Sequence, residues 1–223
     1  MAPSLVTTLQ VESLHSKFDE LQKLYGADDF HSIYGGGQTQ RPDICFVFMN
    51  PTGRNVASDP SWEGIRAPWL GTKNIWKLFY QIGLLDEALY LQIQALKPDD
   101  WTPSFALRLY QNLASHHVYI TNLGKCTQED ARPLPNKVFK SYLTLLKEEI
   151  AEVQPKVIVT FGNQVSSILL NETISVSKSR RKSFPCVIDE ISYPVYPVYY
   201  PVGQGMRNIN TAIDDILSIL VNI

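Results

Sequence analysis

The stretch Asp43–Gly53, which reads DICFVFMNPTG, joins a continuous apolar run to a sharply polar turn. A short apolar run without alternation is typical of a parallel strand that is buried on both faces. Two further runs have the same character, HVYITN at 117–122 and KVIVTF at 156–161, and VYPVY at 195–199 suggests a fourth. These runs predict the strands of a mainly parallel sheet.

Segments with apolar residues at helical spacing lie between the strands. They are 11–25, 72–84, 135–153, 162–170 and 207–221, and the segment 85–113 is expected to form one or two more helices. Gly26 is expected to end the first helix as its C′ residue, and the glycines at 35–37 are assigned to a loop. Since strands that alternate with helices form βαβ units, we predict an α/β fold. The expected architecture is a three-layer α/β/α sandwich with a central, mainly parallel sheet of about four strands, and residues 1–223 are assigned to one domain.

The composition limits the class of protein. Hydrophobic residues make up 44% of the 223 residues and charged residues 19%, as in globular domains. Residues 1–10 lack the pattern of a secretory signal, and no apolar run approaches the roughly 18–20 residues of a membrane helix. We therefore expect a cytoplasmic monomer without membrane association. The net charge of −2 argues weakly against nucleic acid, although a local basic patch would suffice to bind it.

The three cysteines, Cys45, Cys126 and Cys186, are far apart and form no C-x-x-C pair. Only four histidines are present. This pattern argues against a disulfide framework, a zinc site or an iron–sulfur cluster. We therefore expect no cofactor and no metal.

Ligands of parallel α/β sheets bind beyond the carboxyl ends of the strands. The informative segments are thus those that follow the apolar runs: 50–53, 121–122, 161–163 and 200–203.

Five segments, in chain order, resemble the uracil-DNA glycosylase superfamily over about Gly35 to Ile213. They are FVFMNPTG at 46–53, RAPWLG at 66–71, YITNLGKC at 119–126, PKVIVTFG at 155–162 and YPVGQGMR at 200–207. No one of them is specific, and the resemblance rests on all five in order. It implies a monofunctional DNA glycosylase of base excision repair, which flips a uracil or a related damaged base out of DNA and cleaves its glycosidic bond.

The resemblance also implies roles for particular residues. Asn50 matches a residue that orients the attacking water, and Met49 beside it falls where another branch has glutamate. Trp69 would stack on the base, with Trp62 as its nearest competitor, and Asn122 would read the edge of the base. Tyr200 stands where the family has a catalytic histidine, and its phenol could still donate to a base oxygen. The implied DNA contacts are Pro201, Val202, Gly203 and Arg207 of the insertion loop, and Lys178, Arg180 and Arg181 of the most basic stretch.

Each residue also has a purely structural interpretation. Asn50 could cap a turn, Asn122 could be a satisfied amide, Trp69 and Tyr200 could be packing residues, and the basic stretch could be a solvated loop. Two other functions stay open. The chain could be a binding module that kept the base pocket but lost efficient cleavage, which Tyr200 favours, or an enzyme of free nucleosides or nucleotides.

Overall fold

The structure is a computed structural model that describes residue 11 and residues 13–223. The absence of a signal pattern in residues 1–10 therefore concerns a segment outside the described residues. The helices are α1 His15–Tyr25, α2 Asn74–Gln81, α3 Glu87–Ala95, α4 Pro103–Ser115, α5 Asn136–Val153, α6 Gly162–Leu170, α7 Val176–Ser179 and α8 Ile209–Leu220. The strands are β1 Gly36–Gly37, β2 Ile44–Phe48, β3 Val118–Asn122, β4 Val157–Phe161, β5 Phe184–Ile188 and β6 Ile191–Val198, and 3₁₀ turns lie at Val56–Ser58, Pro98–Asp100 and Gly203–Asn208.

The strands form one mixed sheet in the order β1-β3-β2-β4-β6-β5. Its four central strands, β3, β2, β4 and β6, are parallel, and β1 and β5 add antiparallel edges. The prediction of an α/β fold with a mainly parallel sheet is confirmed. The predicted count of about four strands omitted the two edge strands. One of them, β1, consists of two glycines that were predicted to lie in a loop.

The strand predicted at 195–199 is the second half of β6, whereas β5 and the first half of β6 were missed because prolines interrupt their apolar pattern. Pro185 and Pro194 face each other across the two strands. Because neither has an N–H group, they can occupy only a pair that exchanges no hydrogen bonds, and antiparallel ladders contain such pairs at every second position. Asp189 and Glu190 form the turn with φ values of 47° and 65°. Positive φ at both positions is the geometry of a tight hairpin turn, usually built from Asn-Gly or Asp-Gly.

Helices cover both faces of the sheet. Phe46 and Phe48 of β2 pack in one cluster with residues of α2, α4 and α8, whereas Cys45 and Val47 pack in another with residues of α5 and α6. Alternate residues of one strand therefore enter different cores, which is why the strand is apolar throughout. This arrangement gives the three layers that were predicted.

Two details of the helix predictions were wrong. Gly26 has φ −86°, so it is not a left-handed C′ residue; instead, a β-carbon on it would fall within 2.0 Å of the Gln22 side chain. The predicted helix 207–221 begins with the 3₁₀ turn, and α8 starts only at Ile209. No helix in the described part of the chain combines the length and apolarity needed to span a bilayer.

Candidate functional site

A cavity of about 1080 Å³ opens at the carboxyl ends of the parallel strands. It is lined by Met49 and Asn50 after β2, by Asn122 at the end of β3, by Tyr200 after β6, and by Trp69 from the loop before α2. The strand register explains part of this proximity, because Phe48 lies directly opposite Asn122. The structure thus brings together all five residues assigned to catalysis or base binding.

Only some of the residues assigned to DNA contact lie at the cavity. Val202 and Gly203 line the cavity, Pro201 is buried beside them, and Arg207 is exposed in the 3₁₀ turn. The basic stretch does not line the cavity. Arg180 and Arg181 both pair with Asp215 of α8, at 2.9 and 3.0 Å, and Lys178 is exposed nearby. Since Asp215 is fully buried, the two guanidinium groups compensate a charge that would otherwise be costly to bury.

The orientation of the Asn50 amide is fixed by its neighbour. Its Nδ2 donates to the carbonyl of Pro51 over 3.0 Å, and since that carbonyl can only accept, the nitrogen must face it. The loop itself is held by Gly124, whose N–H donates to the carbonyl of Met49, and by Gln128, which bonds Pro51 and Gly53. Asn50 can therefore present its carbonyl oxygen, an acceptor, to a water molecule.

Asn122 is 2% exposed, and its Nδ2 has no hydrogen-bond partner among the described residues. An unsatisfied buried donor costs roughly 1–3 kcal/mol, so such groups are rare without a functional reason. Its backbone carbonyl is held separately by the Lys125 ammonium over 2.7 Å. The residue is thus fixed at its backbone, while its side-chain N–H group has no partner among the described residues.

Lys125 belongs to a buried polar network that the sequence reading missed. Its ammonium lies 2.7 Å from Glu149 Oε2, and both side chains are essentially inaccessible. Tyr119 and Thr121 donate their hydroxyls to Glu149 Oε1, at 2.8 and 2.9 Å, and Lys125 also bonds Thr121. Burial lowers the pKa of Lys125, and the Glu149 carboxylate opposes that shift. A pair separated by 24 residues leaves no periodic pattern that would identify it in the sequence.

Trp69 has φ 65°, a left-handed conformation that strains a bulky side chain. Such strain persists only where surrounding contacts enforce it, and it is concentrated at functional sites. Every backbone carbonyl from residue 66 to residue 70 accepts a hydrogen bond. The donors are, in order, Tyr34 N, Asn55 Nδ2, Tyr110 OH, the side chains of Thr72 and Trp76, and Val56 N. The turn is therefore rigidly defined before any ligand arrives.

Phe48 connects the aromatic walls of the cavity. Trp69 and Tyr200 each meet it edge-on, with ring centroids at 5.0 and 6.4 Å, and Phe161 stacks on it at 4.3 Å. The last residue of β2 therefore fixes the positions of both side chains.

Tyr200 keeps its proton because burial raises the pKa of its phenol well above the ordinary value of 10.0. The hydroxyl is therefore a donor throughout the physiological pH range. Gly205 approaches Tyr200 so closely that a β-carbon there would fall 1.9 Å from the Tyr200 carbonyl oxygen. The loop conformation thus requires glycine at this position.

The residues that line the cavity have no net formal charge and carry several hydrogen-bond donors. Of the five buried side-chain N or O atoms that lack a partner in the described part of the chain, three belong to residues that line the cavity, and all three are in N–H groups. They belong to Trp69, Trp101 and Asn122. Three cationic and three anionic residues also line the cavity, so their formal charges cancel. These are Arg54, Lys73 and Arg132, and Asp59, Glu63 and Asp99.

Fold and cavity together define an α/β domain with a mixed sheet and a cavity at the carboxyl ends of its parallel strands. The chain belongs to the uracil DNA glycosylase superfamily, whose family model matches residues 35–216. This membership supports a DNA glycosylase type of function and DNA as the substrate. No curated protein matches the chain significantly.

The iron–sulfur cluster found in one branch of this superfamily does not fit these residues. Such a cluster needs four cysteine ligands, and the chain has three. Cys45 and Cys186 lie on strands separated by β4 and β6, and Cys126 packs in a different cluster from both. Burial raises the pKa of all three thiols, which disfavours the thiolate that binds metal.

Proposed function

We propose that the protein is a monofunctional DNA glycosylase that hydrolyses the N-glycosidic bond of uracil, or of a related deaminated or damaged base, in DNA. The observation that carries this proposal is the unpartnered Asn122 amide, which is buried in one cavity with Asn50 and Trp69. A deaminated base carries carbonyl oxygens where the parent base carries amino groups. The donor-rich cavity would favour the deaminated form, because a site built around hydrogen bonds rejects analogues that leave its groups unpaired.

Each of these residues would have its own role in the hydrolysis. The bond between C1′ and the base nitrogen breaks, its electron pair leaves with the base, and a water oxygen bonds to C1′ and releases a proton. Asn122 Nδ2 and the Tyr200 hydroxyl donate to oxygens of the departing base, where negative charge develops. Asn50 Oδ1 orients the water. Because a neutral amide is a weak base, we expect slower turnover than with a carboxylate in that position.

The turn after Tyr200 is proposed to meet DNA. Val202 and Gly203 line the cavity and the exposed Arg207 follows in the same turn, so apolar Val202 would enter the space that the flipped base leaves. Arg207 would bind a phosphate. Lys178 is a further phosphate contact, whereas Arg180 and Arg181 would retain their bonds to Asp215 while offering any remaining N–H groups to DNA.

The test is incubation with single- and double-stranded DNA that contains uracil or deaminated purines, followed by alkaline scission of the strand. Strand breaks at the modified base support the proposal. Asn50→Ala should lower cleavage and leave binding nearly unchanged, because the contribution of Asn50 is made in the transition state.

Tyr200 favours one alternative, a binding module that retains the base pocket without efficient cleavage. The phenol can donate a hydrogen bond but cannot carry the positive charge that a histidine can. Tight binding of uracil-containing DNA without strand breaks, in wild type and in Tyr200→His, would support this alternative.

A further inference from the structure

The cavity is larger than one base requires. Its volume of about 1080 Å³ lies just above the range of roughly 300–1,000 Å³ that is typical of sites for whole drug-sized ligands. The residues assigned to the flipped base account for only part of its lining. A second part is formed by Pro98, Asp99, Trp101 and Pro103, between α3 and α4, and is called the Trp101 subsite below.

Trp101 provides the main observation. Its side chain is 5% exposed and packs edge-on against Phe105, with ring centroids 5.2 Å apart. Its indole Nε1 is buried and has no hydrogen-bond partner within the described residues. By contrast, the Nε1 atoms of Trp62 and Trp76 donate to backbone carbonyls, at 3.0 and 3.3 Å. Because Trp101 lines the cavity, a ligand bound there is one source of the acceptor that its indole N–H lacks.

The charges around the subsite determine what kind of acceptor fits. Asp99 and Asp100 are exposed next to Trp101 and would repel a phosphate. The lysine that lines this region, Lys73, already donates its ammonium to the carbonyl of Gln94 over 2.7 Å. Pro98 and Pro103 add apolar rings. The environment therefore favours a flat, uncharged group with an acceptor on its edge, which describes a nucleobase.

We propose that the Trp101 subsite binds the nucleobase next to the one that is excised, with Trp101 Nε1 donating to an acceptor on its edge. This inference rests on the proposed function. Two successive bases would then leave the stack together, so the preferred substrate is single-stranded DNA, in which unstacking costs least.

The test uses single-stranded oligonucleotides with one uracil, in which the base on the 5′ or the 3′ side is replaced by an abasic tetrahydrofuran residue. Cleavage is followed under single-turnover conditions, and affinity is measured with a non-hydrolysable 2′-fluorinated deoxyuridine. Removal of the flanking base on one side should weaken binding roughly fivefold or more, since a buried donor loses its partner. In Trp101→Phe, which keeps a ring but lacks the N–H, most of that difference should disappear.

Tyr193→Phe is the matched control, because the Tyr193 hydroxyl is likewise buried without a partner among the described residues but does not line the cavity; it should retain the flanking-base effect. Thermal unfolding checks that each variant is folded, and the substrate series in wild type tests the inference without any variant. Cleavage or binding that does not depend on either flanking base overturns the Trp101 subsite and leaves the glycosylase proposal standing. Failure to bind or cleave any uracil-containing DNA overturns both.

Discussion

The indole Nε1 of Trp76 donates to the backbone carbonyl of Trp69 over 3.3 Å, so a fully buried residue of α2 holds the strained residue of the cavity wall. The same carbonyl accepts bonds from the backbone and the hydroxyl of Thr72. Trp69 is therefore positioned by its backbone as well as by the edge-on contact of its ring with Phe48.

This arrangement predicts an unusual order of stability at position 69. Glycine is normally less favourable than alanine, but φ 65° strains alanine by about 1 kcal/mol or more and does not strain glycine. Trp69→Gly should therefore have the higher free energy of unfolding of the two, as measured with denaturant. Both variants should lose affinity for uracil-containing DNA by roughly 5- to 150-fold, because base–aromatic stacking contributes about 1–3 kcal/mol. A more stable Trp69→Ala would show that the backbone strain is not real.

Asn122→Ala should weaken DNA binding strongly while it changes the free energy of unfolding only a little. The change removes a buried donor that has no partner within the described residues, which offsets the lost packing, so we expect at most about 1 kcal/mol of destabilisation. Binding of uracil-containing DNA should fall strongly, because the edge of the base is left unpaired. Chemical denaturation and fluorescence anisotropy measure the two quantities. A large loss of stability with normal binding would mean that Asn122 is a structural amide.

Lys125→Met should destabilise the fold by about 3–5 kcal/mol, because it leaves the Glu149 carboxylate buried without its cation. Adding Glu149→Gln should restore much of that loss, since the remaining group is then neutral. Denaturant unfolding of the two single variants and the double variant gives the coupling between the residues. Additive losses would argue against a paired charge at this position.

Tyr200 should add to the alkaline sensitivity of the fold. The folded phenol has a raised pKa, so the unfolded chain ionises first as the pH rises through the ordinary value of 10.0. The stability that Tyr200 contributes is thus complete below that value and is lost above it. Tyr200→Phe should therefore lose less stability than wild type between about pH 9 and 11.5. Equal pH dependence in the two proteins would mean that the phenol is not desolvated.

The sequence was sufficient to predict those parts of the fold in which the hydrophobic pattern is uninterrupted. The buried strand at 44–48 is continuous and apolar because its two faces enter different cores, and the polar residues at the strand ends share one edge of a parallel sheet. β5 and the first half of β6 were not predicted, because Pro185 and Pro194 interrupt their apolar pattern.

The missed parts of the site depend on long-range contacts. Lys125 and Trp101 resemble ordinary residues in the sequence, and only folding shows that one is fully buried and that the other has an unpartnered donor at a cavity wall. The same limit applies to the basic stretch at 178–182, since nothing in the sequence indicates that Asp215 binds two of its arginines.

Uracil excision from DNA tests the central claim most directly. Purified wild type, Asn50→Ala and Tyr200→His are incubated with a single-stranded oligonucleotide that contains one uracil, and strand breaks are measured after alkaline treatment. We expect cleavage at the uracil by wild type, at least tenfold slower cleavage by Asn50→Ala with similar affinity, and equal or faster cleavage by Tyr200→His. The same assay is repeated with a deaminated purine in place of the uracil. If wild type and Tyr200→His bind these oligonucleotides but leave both kinds of base intact, the protein is a binding module and not a glycosylase.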